Sequence, residues 1–324
     1  MTCAEKVIVA TEKEGLPLFH NLYERGLQNG LDISKIDQGE LAEIEPHVKR
    51  LGAIRVPSCG IADYKGGSHT FACFIEKNGG EVHLGTKAEQ IFEHKDFVTI
   101  ETNKGVFETK FLINCAGLHS GRIAKKAEIL TDMKIVPFRS EYYELVPEKR
   151  HLVKHLIYPV PNPDFPFLGV HFTRMINGDV HAGPNAVLSF KREGYTKKDF
   201  DIKDFIETMT YTGFWKMAMP NMKKGIKEMV RSFSKQSFLK SLQRLIPELT
   251  EKDIVPTHAG VRAQAILSNG NMVDDFCIIP GINSMHICNA PSPAATASLK
   301  IGEEIAGKVP DVILDRISLS KATF

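Results

Sequence analysis

The sequence lacks a charge imbalance: 41 Lys and Arg stand against 39 Asp and Glu, a formal net charge of +2 over 324 residues. That balance excludes a strongly basic nucleic-acid binder as the default reading. No stretch approaches ~18 uninterrupted apolar residues, so no transmembrane helix is expected. The six cysteines (Cys3, Cys59, Cys73, Cys115, Cys277 and Cys288) include no Cys-x-x-Cys pair. Spacing therefore disfavours zinc, and their apolar neighbours predict buried free thiols in a reducing compartment. Residues 1 to 6 read as neither a transit nor a signal peptide.

Nucleotide motifs are also missing. A dinucleotide enzyme is expected to carry Gly-x-Gly-x-x-Gly after an early strand, and no such run occurs. Gly302 to Lys308 mimics a P-loop, but Val309 replaces the hydroxyl residue that holds magnesium. His151 and His155 lack the Glu of a His-Glu-x-x-His motif. Asp274-Asp275 reads as a turn rather than a metal site.

What remains is an ordinary globular composition, 43% apolar and 25% charged. Strands are predicted at 7–10, 53–57, 81–84, 88–92, 97–102 and 106–109. Residues 111–115 form a continuous apolar run, the mark of a strand buried on both faces. Helices are predicted at 16–30, 37–45 and 68–77, and from about Ser120. Residues 134–146, 155–160 and 167–173 read as strands. Asn177-Gly178 between two strand runs predicts a hairpin. Residues 202–245 turn helical, strands return at 277–280 and 285–288, and a final helix is predicted from Pro293.

The fold class is therefore mixed α/β. Residues 1–60 and 129–252 read as an antiparallel sheet carrying helices. Residues 61–128 and 253–312 read as an α/β layer, with 313–324 as a tail.

Three segments carry candidate chemistry. In 289–296, Ser292 suits an N-cap and Pro293 the first helical position, with small residues following. A helix start there offers free N–H groups to an electron-rich ligand, or is simply a capped helix. Arg262 and Gln264 stand among small apolar residues, so Arg262 is either a carboxylate clamp or half of a structural ion pair. His171 alternates with Val170 and Phe172, so it faces away from them. It reads as a structural histidine or as a general base near neutral pH.

Together the segments resemble a known family. They are Val-Pro-Phe-Arg (136–139), Ile-Tyr-Pro-Val-Pro (157–161), Phe-Pro-Phe-Leu-Gly-Val-His-Phe-Thr-Arg (165–174), Gly-Pro-Asn-Ala-Val-Leu (183–188), Phe-Lys-Arg-Glu-Gly-Tyr (190–195), Ala-Gly-Val-Arg-Ala-Gln-Ala (259–265) and Asn-Ala-Pro-Ser-Pro-Ala-Ala-Thr (289–296). In this order they resemble the L-2-hydroxyglutarate dehydrogenase family, flavoproteins of the D-amino-acid-oxidase/glycine-oxidase-like superfamily.

The resemblance implies an FAD-binding Rossmann-like domain intertwined with an antiparallel-sheet substrate domain. It implies FAD-linked oxidation of the dicarboxylate L-2-hydroxyglutarate to 2-oxoglutarate. Arg262 matches the Arg that relatives use for a substrate carboxylate, with Gln264 beside it. Arg139 and Arg174 are the candidates for a second cation, and His171 for the base. Ala116-Gly117 resembles the superfamily turn that approaches the cofactor, and Ala88 the backbone contact to adenine. Asn289, Ser292, Pro293, Ala294 and Ala295 resemble the segment at the flavin edge. The implied location is mitochondrial for eukaryotic relatives. The resemblance admits a peripheral membrane contact and leaves the electron acceptor open.

Family members carry a glycine-rich pyrophosphate turn ahead of the matching region. On that ground the chain is expected to be truncated, to bind FAD poorly and to be weakly active or inactive alone. The alternatives are another FAD-dependent oxidase of the superfamily, acting on an amino acid or glycerol phosphate, or a catalytically dead remnant that pairs with an intact subunit.

Overall fold

The computed structural model describes residues 2–12, 15–48, 52–161, 169–291 and 293–309. Ser292 and the expected tail at 313–324 lie outside them.

One long strand, β10 (Met133–Leu145), organises the larger layer. One edge pairs with β13 (Val180–Leu188), the other with β14 (Ile254–Pro256) and β15 (Gly260–Leu267). Beyond β13 the sheet continues through β12 (His171–Arg174), β11 (Leu156–Pro159), β2 (Lys6–Val9), β4 (Ala53–Val56) and β3 (Ser34–Ile36), nine strands in all. Among the described residues of this sheet, only β11 and β2 run parallel. The short strands β1 (Thr2–Cys3) and β5 (Gly60–Ile61) pair separately.

Local chemistry accounts for the turns. Gly178 has φ +89°, which glycine adopts without strain, and the Met175 N–H donates to the Asp179 carbonyl at 2.8 Å. The predicted hairpin thus joins β12 to β13. After α1 (Leu16–Gln28), α2 (Gln38–Ile44) opens with a reciprocal capping box between Asp37 and Glu40. Glu45 follows, fully buried, and its carboxylate accepts the backbone N–H groups of Lys154 and His155. Two loops are thereby tied together without an orphaned charge.

The core lies on one face of this sheet. Val7, Ile157, Phe172 and Ala182 pack against Phe238, Leu242 and Leu245. Alternation then places His171 on the opposite face from Phe172. The predicted helical stretch divides into α5 (Ile202–Met209), α6 (Thr212–Ala218), α7 (Met222–Phe233) and α8 (Lys235–Leu242). Ser234 caps α8 by accepting the Ser237 N–H.

The second layer pairs β16 (Cys277–Pro280), β17 (Ser284–Asn289) and β9 (Leu112–Asn114), with β17 and β9 parallel. A meander of β6 (Ala88–Glu93), β7 (Val98–Thr102) and β8 (Gly105–Thr109) stands beside it, with α3 (Tyr64–Lys77), α4 (Ser120–Lys126) and α9 (Ser298–Ala306).

Several expectations change. The segment after 253 first gives β14 and β15 to the large sheet, because β10 is long enough to pair with both. It enters the second layer only at Cys277. Residues 81–84 form no strand; the Leu84 carbonyl accepts from the Lys104 ammonium, and His83 stands edge-on to Phe107. β9 is not buried on both faces: among the described residues it pairs with β17 alone, and Ile113 is 40% exposed. Cys288 is buried, whereas Cys73 and Cys115 are exposed.

Candidate functional site

Strand β9 ends opposite His286 and its parallel neighbour β17 runs on to Asn289, while β15 lines the space beyond them. A cavity of ≈ 580 Å³ opens between these three elements. In an α/β layer the carboxyl ends of parallel strands are where ligands sit. Gly117, Arg262, Gln264, Asn289 and Ala294, all expected at the site, line this cavity together. Cys115, Asp274, Ala290 and Ile301 join them.

The turn after β9 is held from below. Asn114 is buried; its Oδ1 accepts the Ala116 N–H at 3.1 Å and its Nδ2 donates to the Ser120 carbonyl at 2.9 Å. The same amide meets His286 Nδ1 at 3.0 Å. With Nδ1 accepting, the His286 proton resides on Nε2, 2.9 Å from Ser284 Oγ. Ser284 in turn donates to Glu93. Burial lowers the His286 pKa, and the Glu93 charge opposes that. This chain clamps β9 to β17 and links both to β6. Gly117 then adopts φ +53°, with nothing within 4 Å of where a Cβ would stand. Its requirement is conformational: the turn needs a left-handed residue.

On the facing side, Asn289 Nδ2 donates to the carbonyls of Val273 and Asp275, at 3.1 and 2.7 Å. Asn289 therefore positions Asp274. Arg262 is an exposed residue at the β15 edge. The protein around it nevertheless draws its guanidinium pKa down by desolvation, opposed by the Asp274 charge. Gln264, only 2% exposed, donates from Nε2 to the Ala265 carbonyl. Burial raises the Cys288 thiol to about 11, so it is a neutral thiol rather than a nucleophile.

The segment at 293–297 departs from expectation. α9 begins at Ser298, not Pro293, and its N-cap Ala297 offers no side-chain acceptor. Thr296 Oγ1 donates to the Pro293 carbonyl, and the Ser298 N–H to the Ala295 carbonyl. These local bonds hold successive turns in place of a regular first helical turn. Pro293 and Ala295 lie in these turns, and Ala294 lines the cavity.

The other expected residues stand elsewhere. Ala88 lies in β6, its carbonyl accepting from Lys126. Arg139 is buried; it donates twice to Glu141 Oε1, at 3.0 and 2.9 Å, and once to the Thr196 carbonyl. Asn185 completes Glu141 from β13. The signal for this pair was present, since residues two apart on a strand share a face. Arg174 donates to the Val153 carbonyl.

His171 lies three strands across the sheet from Arg262 and, by register, about four residues further along β10, so the two do not share a site. It stacks on Tyr158 at 4.0 Å, and its Nδ1 lies 2.9 Å from the Gly169 carbonyl. Burial pulls its pKa down to about 4, the Gly169 bond opposes this and Lys6 adds to it. The ring is thus neutral and weakly basic at neutral pH. Folding favours the neutral form, so its stabilising contribution holds above pH 6.5 and is lost as pH falls towards 4. The loss amounts to about 3 kcal/mol. Denaturant unfolding at pH 7 and pH 4 is expected to show His171→Gln losing that much less stability than the parent.

The cavity suits the flavin end of FAD. It has room for a ring system, small residues in its lining (Gly117, Ala290, Ala294), and a cation and two amides (Arg262, Gln264 and Asn289) among them.

The family described as FAD dependent oxidoreductase (DAO) matches residues 3–307. L-2-hydroxyglutarate dehydrogenase of Indibacter alkaliphilus is 50% identical over 300 residues, covering 92% of this chain and 75% of that protein. The mitochondrial L-2-hydroxyglutarate dehydrogenase of Caenorhabditis elegans is 46% identical, covering 94% of this chain and 72% of that one. Bacterial relatives include the Escherichia coli protein of the same name, at 41% identity. Among solved structures, FAD-bound L-α-glycerophosphate oxidase of Mycoplasma pneumoniae superposes with a TM-score of 0.72 at 18% identity, over 94% of this chain and 72% of that chain. That likeness shows the fold. The chain belongs to the DAO family of FAD-dependent oxidoreductases and, within it, to the L-2-hydroxyglutarate dehydrogenases.

Proposed function

We propose that the chain oxidises L-2-hydroxyglutarate to 2-oxoglutarate. The substrate is the one named for relatives at 50% and 46% identity. The observation that carries the reading is Arg262 at the rim of the strand-end cavity, with Asp274 held beside it by Asn289. An arginine there binds one carboxylate of the substrate through two parallel N–H bonds. Asp274 offsets part of the desolvation of the guanidinium, which stays charged throughout. Gln264 and Gly117 shape the wall on either side. FAD, when bound, supplies the acceptor for the hydride that leaves C2. The hydroxyl proton leaves to a base or to solvent as the ketone forms.

The substrate panel tests this directly. The protein is assayed with excess free FAD and a dye acceptor against L-2-hydroxyglutarate, D-2-hydroxyglutarate, glycine, L-proline and glycerol 3-phosphate. Dye reduction is expected with L-2-hydroxyglutarate at a kcat/KM at least about 100-fold above the others, as a site built on paired polar contacts rejects analogues lacking them. Faster reduction by glycerol 3-phosphate or an amino acid overturns the assignment.

A further inference from the structure

The turn that carries Gly117 is gripped from the large-sheet side as well as from below. β13 ends at Leu188, and the chain after it bends tightly. The Ser189 N–H donates to the Pro137 carbonyl at 2.9 Å, and the Ser189 hydroxyl to the Lys191 carbonyl at 2.7 Å. A Cβ at Gly194 would stand 2.4 Å from Ser189 Oγ and 2.9 Å from the Lys191 carbonyl oxygen, so the bend closes on a glycine. At the start of α5, Asp201 accepts the Asp204 N–H, and Asp204 Oδ2 accepts the Arg192 N–H at 2.8 Å. Arg192 is thereby fixed at its backbone, and the residue is 4% exposed.

Its guanidinium makes little use of the carboxylates around it. Asp204 and Glu207 are held closely by Arg122 of α4, which donates to both. Arg192 stands 3.7 Å from Asp204 and 3.3 Å from Glu207, and its buried Nε makes no hydrogen bond among the described residues. Its short bond runs from Nη1 to the Leu118 carbonyl, 2.5 Å, in the 3₁₀ turn Gly117–His119. A buried cation that served the ion cluster alone would lay its planar fork on a carboxylate. Here the fork is turned to a main-chain carbonyl beside the cavity. The next residue, Glu193, lies 3.4 Å from His119 Nε2. Two adjacent residues of the large-sheet layer therefore hold two adjacent residues of the turn that begins at the cavity-lining Gly117.

We propose that Arg192 is a positioning residue for FAD: through the Leu118 carbonyl it fixes the Gly117 turn at the cofactor cavity, while Asp204, Glu207 and Arg122 hold the guanidinium in place. Nothing lies within 4 Å of the Gly117 Cβ position, so at that residue the turn is held by its bonds rather than by packing. The inference uses the FAD of the family and stands whatever the substrate is.

Hydrogen–deuterium exchange of the peptide spanning 115–120 reads the turn. Titration with FAD, followed by the flavin's visible difference spectrum, reads the consequence. Arg192→Met is expected to speed exchange there about 10- to 100-fold, the factor of one hydrogen bond to a charged group, and to weaken FAD binding at least about fivefold. Arg192→Lys keeps one charged donor and is expected to fall between that variant and the parent. Arg122→Met is the control, because it breaks the same ion cluster without removing the bond to Leu118. It is expected to lower the melting temperature by as much, with exchange at 115–120 and FAD affinity within about twofold of the parent. If Arg192→Met does not fold, Arg192→Met with Glu207→Gln keeps the cluster neutral and serves instead. Equal exchange in the Arg192 and Arg122 variants overturns the proposal, since the stability of the cluster would then account for both. So does raised exchange with FAD affinity unchanged, or a parent whose turn exchanges alike with and without excess FAD.

Discussion

Arg262→Ala is expected to lower kcat/KM for L-2-hydroxyglutarate about 100- to 1000-fold. A bidentate bond between an arginine and a carboxylate comprises two charge-assisted hydrogen bonds, each contributing about 1.5–3 kcal/mol. Losing most of that converts to the stated range at 1.4 kcal/mol per tenfold. The expected pattern is a raised KM together with a lowered kcat, because the anchor both binds the substrate and sets the approach of C2. Arg262→Lys separates charge from geometry. Lysine keeps the positive charge beside Asp274 but loses the planar fork, so a smaller loss of about tenfold is expected. Steady-state kinetics of both variants, with excess FAD, make the measurement. Near-parental kcat/KM for Arg262→Ala would show that the guanidinium serves Asp274 alone, the structural ion pair that the sequence left open.

Residues close together in sequence were the legible part of this protein. Asn177-Gly178 gave the hairpin from two adjacent residues, since the turn's demand for a left-handed glycine is local. Arg262 and Gln264 were visible as polar residues in a small apolar strand, and both line the cavity. The support beneath the cavity was not legible. Glu93, Asn114 and the Ser284–His286 pair come from three separate stretches and meet only once β9, β17 and β6 are assembled. No periodicity signals such a network. The start of α9 differs from its pattern because Ser292-Pro293 has the form of a helix entry, whereas the Thr296 hydroxyl is used on a turn bond and the helix begins at Ser298.

Flavin retention is the second large effect. After reconstitution with excess FAD and desalting, the 324-residue protein is expected to keep less than about 0.1 flavin per chain. The strand-end cavity has groups suited to the ring, but the sequence has no glycine-rich turn to receive the pyrophosphate on backbone N–H groups. Two such bonds to a charged phosphate contribute about 3–6 kcal/mol, a factor of roughly 10² to 10⁴ in affinity. Dye reduction is accordingly expected to depend on free FAD and to vanish on desalting. Absorbance of flavin per protein decides the matter. Near-stoichiometric flavin would mean that the turn at Gly117, the Asn289 to Ala294 segment and the β15 edge hold the cofactor by the ring end alone. Residual flavin well below one per chain, together with turnover restored by added FAD, would assign the ring site to these residues and the missing affinity to the pyrophosphate.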